Sequence, residues 1–554
     1  MDRLREIVFG LSGIVWGWPD AAPLLVLILI GTGLVTTFAL GWIQVRRFAH
    51  GIQVIRGKYD NPEDEGDITH FQALTTALSA TVGIGNIAGV ATAIHYGGPG
   101  ALFWMWVTAV FGMALKYAEC TLSMRYRAIL PSGEASGGPM YYIERGLGRS
   151  WKPVAVFFAL CAVVSSFGSG NAVQAFTVAD QFRADLGVPT WLTGVGMVAL
   201  VGAVILGGIR RIGEVTSRLA PLMAVTYVAG ALLVLLAGFS QVPAVLAEIV
   251  RSAFQPAAKV GGFAGGGFIF LLTWGVKRGL FSNESGQGSA PIAHAAAKTK
   301  EPVREGVVAM VGPFIDTLVI CTLTGLVILT TGVWKERRPE IVEINPQAAI
   351  TLVRGDADVG KNARIGEDHL VTGQVRVERG EAKGVRFVRN HSLVENAAVL
   401  TEGGDPFEGT LVADGGNIQD PGRPLRLAGA MAQNGSPLTA WAFDEGLPFL
   451  GGRGHFIVTL AVFLFGISTA ISWSYYGDRA TVYLAGPKYV LPYKLLYLVM
   501  HFLGAIFPLE LVWGFGDIAL GLMALPNLIA IVVLLPKIRA MTEEYFSREH
   551  VPFR

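Results

Sequence analysis

Along this chain the apolar residues gather into blocks of roughly twenty, the length a helix needs to cross a bilayer. Leu24 to Trp42, Pro153 to Ser166, Leu192 to Leu206, Met223 to Ala237, Val307 to Leu329, Phe456 to Ile471 and Ile518 to Leu535 are nearly or wholly free of charge. A soluble protein spreads such residues over amphipathic faces instead. In lipid only helices and closed barrels satisfy every backbone group, and these blocks are too long and too uniform for barrel strands. About eleven spans follow, near 22–43, 71–95, 100–125, 153–178, 190–208, 217–238, 264–290, 307–332, 455–476, 493–511 and 514–536.

Lys and Arg fall in alternate connections. Arg46, Arg47, Arg56 and Lys58 lie in the first, and Arg127, Arg145, Arg149 and Lys152 in the third. Arg210, Arg211 and Arg218 surround the fifth; Lys298, Lys300 and Arg304 follow the seventh span, Arg479, Lys488 and Lys494 the ninth, and Lys537 and Arg539 the last. Positively charged short loops stay in the cytoplasm. The expected topology in the cell (inner) membrane therefore has the N-terminus outside and the C-terminus inside. The N-terminal MDRLREIVFGLSG is short and mixed in charge and does not read as a cleaved signal peptide.

Residues 335–453 break the pattern. They are polar and Gly-rich, too long for an ordinary loop, and external by the alternation. Period-two stretches such as Gly373-Gln-Val-Arg-Val-Glu-Arg and Val385-Arg-Phe-Val-Arg predict strands, a partly disordered loop being the alternative. The expected organisation is spans one to eight over 1–334, an extracytoplasmic insert over 335–453, and spans nine to eleven over 454–554. The fold class is an all-α polytopic membrane protein with a small strand-rich insert. Composition agrees: 52% of the 554 residues are hydrophobic and only 16% charged. The net charge of +2 comes with no basic cluster for nucleic acid. Cys120, Cys161 and Cys321 sit in apolar runs and offer no disulfide framework.

Two spans read as interrupted. The second carries Gly83, Gly85 and Asn86 at its middle; the seventh carries Gly275, Gly279, Asn283, Glu284, Gly286 and Gly288. Glycine clusters let the backbone leave the helix, and unwound backbone in a membrane is tolerated where it lines a cavity. Counted from the second span, the breaks fall in the first and sixth of ten helices, equivalent places in two halves of five. That pairing marks an inverted-repeat transporter. Free N–H groups at a half-helix start suit a carboxylate, and opposing carbonyls suit a cation. Close helix packing is the alternative reading of such glycines.

Other polar residues lie at depth. Asn171 and Gln174, three apart on the fourth span, could read an amino acid's ammonium and carboxylate, or bond between helices. Ser468, Thr469, Ser472 and Trp473 lie on the ninth; hydroxyls suit a hard cation, though they also bond back to their own helix. Arg278 and Glu284 flank the second break and read as a pair that shapes or gates it. Lys116, Glu119, Lys277 and Asp316 need partners. His95, His294, His455 and His501 are isolated, so no metal-ligand spacing and no enzyme signature appears.

The runs GIGNIAGVATAIHYGGPGALFWMWVTAVFGMALKYAE from Gly83, GGPMYYIERGLG from Gly137, RGLFSNESGQGSAPIAHAAA from Arg278, LTAWAF from Leu438 and FGISTAISWSYYGDRATVYLAG from Phe465 resemble the alanine/glycine:cation symporter family. The resemblance covers nearly all of the chain outside about 335–437. It implies a leucine-transporter-like fold and symport of alanine or glycine with sodium; a proton-coupled symporter, or a carrier of another small amino acid, is the alternative. By this resemblance Thr81, Gly83, Gly85 and Asn86 bind substrate at the first break, with Gln174, Trp274, Phe281, Asn283, Thr469 and Trp473 completing the pocket. Sodium would be held by Ser79 and Val82 backbone oxygens and the hydroxyls of Ser468 and Thr469. No cofactor is implied beyond the transported ion. The expected partners are alanine or glycine, sodium and the bilayer, and the insert's partner is open.

Overall fold

The computed structural model describes residues 2–19, 23–254, 268–345, 350–355, 369–389, 392–419, 421–506, 509–550 and 552. The first residues of the expected seventh span (264–267), residues 507–508 of the tenth and parts of the insert lie outside that range. Among the described residues, seven helices are long and apolar enough to cross a membrane. A pair, α1 (His70–Thr81) and α2 (Ala88–Gly97), bent by 59° across a break, passes the same test when taken together. The other elements that build the site are α3 (Gly100–Tyr126), α4 (Arg149–Leu186), α5 (Phe268–Asn283), α6 (Ala290–His294), α7 (Pro302–Thr331), α8 (His455–Ala485) and α9 (Leu509–Ser547).

The first break is built by its own side chains. Thr69 caps α1 through a reciprocal pair with Gln72, at 3.2 and 3.0 Å. The helix stops at Val82, and a single tight turn over Ile84–Asn86 precedes α2. Asn86 Oδ1 accepts the Gly83 N–H at 2.9 Å, so the donor freed by the break is satisfied internally.

The second break lies later than the glycine pattern suggests. Gly275 and Gly279 sit inside the unbroken α5. A Cβ on Gly275 would stand 2.7 Å from the Ala101 carbonyl, and one on Gly279 3.1 Å from Thr108 Cβ. These two glycines let α5 pack against α3; they do not unwind it. The unwinding comes at Glu284, Gly286 and Gly288, all at positive φ (54°, 81° and 89°). Asn283 Oδ1 bridges the start of the turn by accepting the Ser285 N–H at 3.0 Å.

Two features have no counterpart in the hydropathy pattern. The chain winds into wide, π-helical turns at Gly168–Ala172 within α4 and at Phe314–Cys321 within α7. An N-terminal helix over Asp2–Gly17 packs on α9. The bases of the broken helices are joined by one buried carboxylate: Glu305 is bonded to Nδ1 of both His70 and His294. His294, isolated in sequence, thus gains a histidine and a carboxylate in space.

Between α7 and α8 the chain forms two antiparallel sheets. One has Leu425–Met431 between Arg338–Glu343 and Glu395–Thr401; the other has, among the described residues, seven short strands, including Gly373–Glu378 and Val385–Arg389 where the alternation predicted them. They close over their own core of Leu352, Phe387, Val399, Leu411 and Leu427. The strands end at Met431. Helix Gly435–Gly446 already packs among the long helices, with Leu438, Ala442 and Phe443 buried, short of the boundary expected at 453.

Candidate functional site

Five elements converge on a small cavity. The first break contributes Ala80, Thr81, Gly83 and Gly85; α4 contributes Ser169 from its wide turn and Gln174 just after it. The end of α5 and the second break contribute Phe281, Glu284 and Gln287, α8 contributes Thr469 and Trp473, and α9 contributes Leu520.

Of the substrate residues expected from the sequence, Thr81, Gly83, Gly85, Gln174, Phe281, Thr469 and Trp473 come together here. The glycines are needed for space. A Cβ on Gly83 would stand 2.5 Å from Thr469 Oγ1, and one on Gly85 3.0 Å from Phe281 Cδ1. Gly170 gives the same clearance to Trp473, whose ring lies against its backbone.

Asn86, Asn283 and Trp274 do not line the cavity. Asn86 Nδ2 donates to Asp316 Oδ1 at 2.6 Å and to Ser282 Oγ at 3.2 Å. Ser282 and Thr317 hydroxyls donate to Asp316 Oδ2 at 2.6 and 2.7 Å. Asn283 Nδ2 donates to Thr317 Oγ1 at 3.2 Å. The two asparagines and Asp316 therefore form a buried hub that ties both breaks to the wide turn of α7. Trp274 lies seven residues before Phe281, roughly 10 Å along the helix, and stacks on Tyr96 with ring centres 4.3 Å apart.

Of the residues expected to hold sodium, Thr469 donates its hydroxyl to the Ser79 carbonyl at 3.1 Å, which joins α8 to α1 beside the cavity. Ser468 Oγ is fully buried with no hydrogen-bond partner, as are Ser79 Oγ and Ser472 Oγ. Val82 closes α1, its N–H returning to the Leu78 carbonyl at 2.6 Å. These neutral oxygens are the donor type a hard monovalent cation takes. Among the described residues no cluster of His, Cys, Asp and Glu could hold a transition metal.

The sequence reading passed over Ser169, Gln287 and Leu520, and set Glu284 beside the break as part of a gate. Glu284 in fact faces the cavity. Trp473 Nε1 donates to its Oε1 at 2.9 Å and the Ser289 hydroxyl to its Oε2. A titratable carboxylate therefore stands in the wall of the cavity. Gln174 Nε2 is spent on the Ser169 carbonyl at 2.9 Å, leaving Oε1 unpartnered. Both amide atoms of Gln287 are unpartnered, and the residue is wholly buried. The usable signal was an ionisable or amide residue in a stretch where glycines surround it.

The sequence pattern described as the sodium:alanine symporter family matches residues 1–359 and 426–551. An uncharacterized transporter of Haemophilus influenzae is 37% identical over 98% of this chain and 97% of its own. The sodium/alanine symporter AgcS of Methanococcus maripaludis is 36% identical over 96% and 94% respectively. A Bacillus subtilis protein, YrbD, named a putative sodium/proton-dependent alanine carrier, is 32% identical over 96% and 90%.

Proposed function

Because the chain belongs to the sodium:alanine symporter family, a family of multi-pass membrane transporters rather than enzymes, we propose that it imports a small neutral amino acid, alanine or glycine, together with sodium by alternating access. The observation that carries the reading is the cavity at which both broken helices meet Gln174, Thr469 and Trp473. The Gly83 N–H being held by Asn86, the substrate carboxylate takes the N–H groups that follow it in the first break, around Gly85. The ammonium takes Gln174 Oε1 and the Glu284 carboxylate. Sodium takes the Ser79 and Val82 carbonyls with the Ser468 and Thr469 hydroxyls. Thr469 links the two sites, since its hydroxyl touches both the cavity and Ser79.

Eleven spans in two inverted repeats of five, after one leading helix, form the proposed frame. The arithmetic supports it: seven long helices and one bent pair make eight, and the shorter apolar helices Leu24–Ala39 and Thr190–Ile205 with α5 make eleven. The alternating Lys and Arg support an external insert and a cytoplasmic C-terminus. The names of two of the relatives, AgcS and YrbD, support an alanine substrate.

Glu284 in the cavity favours a second reading, in which a proton replaces or accompanies sodium. Alanine uptake into proteoliposomes under sodium and proton gradients imposed separately distinguishes the two. Uptake driven by sodium alone supports the first reading and uptake driven by protons alone the second. Uptake indifferent to both gradients refutes symport.

A further inference from the structure

The cavity carries more hydrogen-bonding capacity than alanine can use. An amino acid's carboxylate and ammonium are accounted for by the first break, Gln174 and Glu284, on the reading proposed above. Gln287 is left over. Its carbonyl and its amide nitrogen both lack a partner, the residue has no exposed surface, and it lines the cavity wall. Its backbone is committed: the N–H goes to the Glu284 carbonyl at 3.3 Å. The position is fixed by the turn, between Gly286 and Gly288 at φ 81° and 89°. Ser169 adds a second unpartnered group to the lining, its hydroxyl.

A buried amide with neither atom bonded is costly, and a site carrying one discriminates against a ligand that leaves it so. A methyl side chain leaves both atoms of Gln287 unbonded. A hydroxymethyl side chain gives a donor to the carbonyl and an acceptor to the amide nitrogen. The same lining includes the bulky side chains of Phe281, Trp473 and Leu520, which restrict the length of a substrate side chain.

We propose that Gln287 is a specificity-determining residue and that the site's preferred substrates include small amino acids with a short hydrogen-bonding neutral side chain, serine being the simplest. The inference rests on the amino-acid transport reading and concerns only the side-chain end of the same cavity.

The test is competition against sodium-driven alanine uptake in proteoliposomes of the full-length protein, using serine and 2-aminobutyrate. The two have the same number of side-chain heavy atoms and differ in one hydroxyl. Serine is expected to compete about tenfold better or more; equal competition, or a preference for 2-aminobutyrate, overturns the proposal. In Gln287→Met the serine-to-2-aminobutyrate preference is expected to collapse to near unity, and a preference that survives overturns the role of Gln287. Should Gln287→Met fail to assemble, the wild-type comparison decides alone. Alanine uptake that ignores the sodium and proton gradients defeats the underlying symport reading instead, so the two failures are distinguishable.

Discussion

Gly83→Ala tests whether the first break meets α8 as tightly as the geometry requires. Gly83 has φ −132° and ψ −157°, an extended backbone open to any residue, so alanine carries no conformational penalty there. The added methyl meets side chains instead. It would stand 2.5 Å from Thr469 Oγ1, 3.5 Å from Thr469 Cβ and 3.6 Å from Gln174 Oε1. The first distance is far inside contact range, so Thr469 must rotate or α8 must withdraw. Overpacking of this kind costs about 1–3 kcal/mol, which is roughly 5- to 150-fold in an equilibrium constant. The moved atom is the hydroxyl that bonds the Ser79 carbonyl. The cost therefore falls on sodium half-saturation as well as on alanine KM. Gly89→Ala is the control, because its Cβ would meet nothing nearer than Arg278 Cδ at 3.8 Å. The assay is alanine uptake as a function of external sodium. Sodium half-saturation within twofold of wild type in Gly83→Ala refutes the reasoning.

Other outcomes follow from individual contacts. Trp473→Phe keeps the ring against Gly170 but leaves an oxygen of buried Glu284 without its donor, at about 1–3 kcal/mol; alanine KM should rise about tenfold, and an unchanged KM excludes Glu284 from the binding energetics. Asn86→Ala leaves the Gly83 N–H and an oxygen of Asp316 without their partner, at about 1–3 kcal/mol each; the thermal midpoint in detergent should fall by several degrees. His50 lies on the short helix Phe48–Ile55, outside the spans, and accepts or donates at 2.9 Å with Tyr545 OH. Burial, then the charges of His550, Arg304, Arg47 and Lys58, push it down to about 4 from the ordinary 6.5. A group depressed in the folded state adds stability above 6.5 that is lost as pH falls toward 4. His50→Gln should flatten the acid limb of a thermal-midpoint profile in that window, and an unaltered limb refutes it.

The long helices were legible because lipid imposes one simple rule, uncharged runs of sufficient length, and the chain obeys it. The two breaks were legible from glycine and asparagine in those runs, but their mechanics were not. Gly275 and Gly279 look like Gly286 and Gly288 in sequence; the difference is that α3 lies within contact distance of the first pair, a tertiary fact. Asn86 and Asn283 were legible as buried amides. Their partner, Asp316, lies 230 residues along the chain from Asn86, and no local pattern announces it. Gln287 and Ser169 face the cavity because of a left-handed turn and a wide helical turn, neither of which leaves a hydropathy signature. The sheets of the insert were legible only where period two persisted for five or six residues, as in Gly373–Glu378 and Val385–Arg389.

The central claim is that one cavity binds the amino acid and the cation together through Thr469. Thermodynamic linkage makes that measurable. Isothermal titration of the purified protein with alanine at fixed sodium, and with sodium at fixed alanine, should give two coupling factors, each well above one and equal to each other. Alanine affinity that is the same with and without sodium would contradict it.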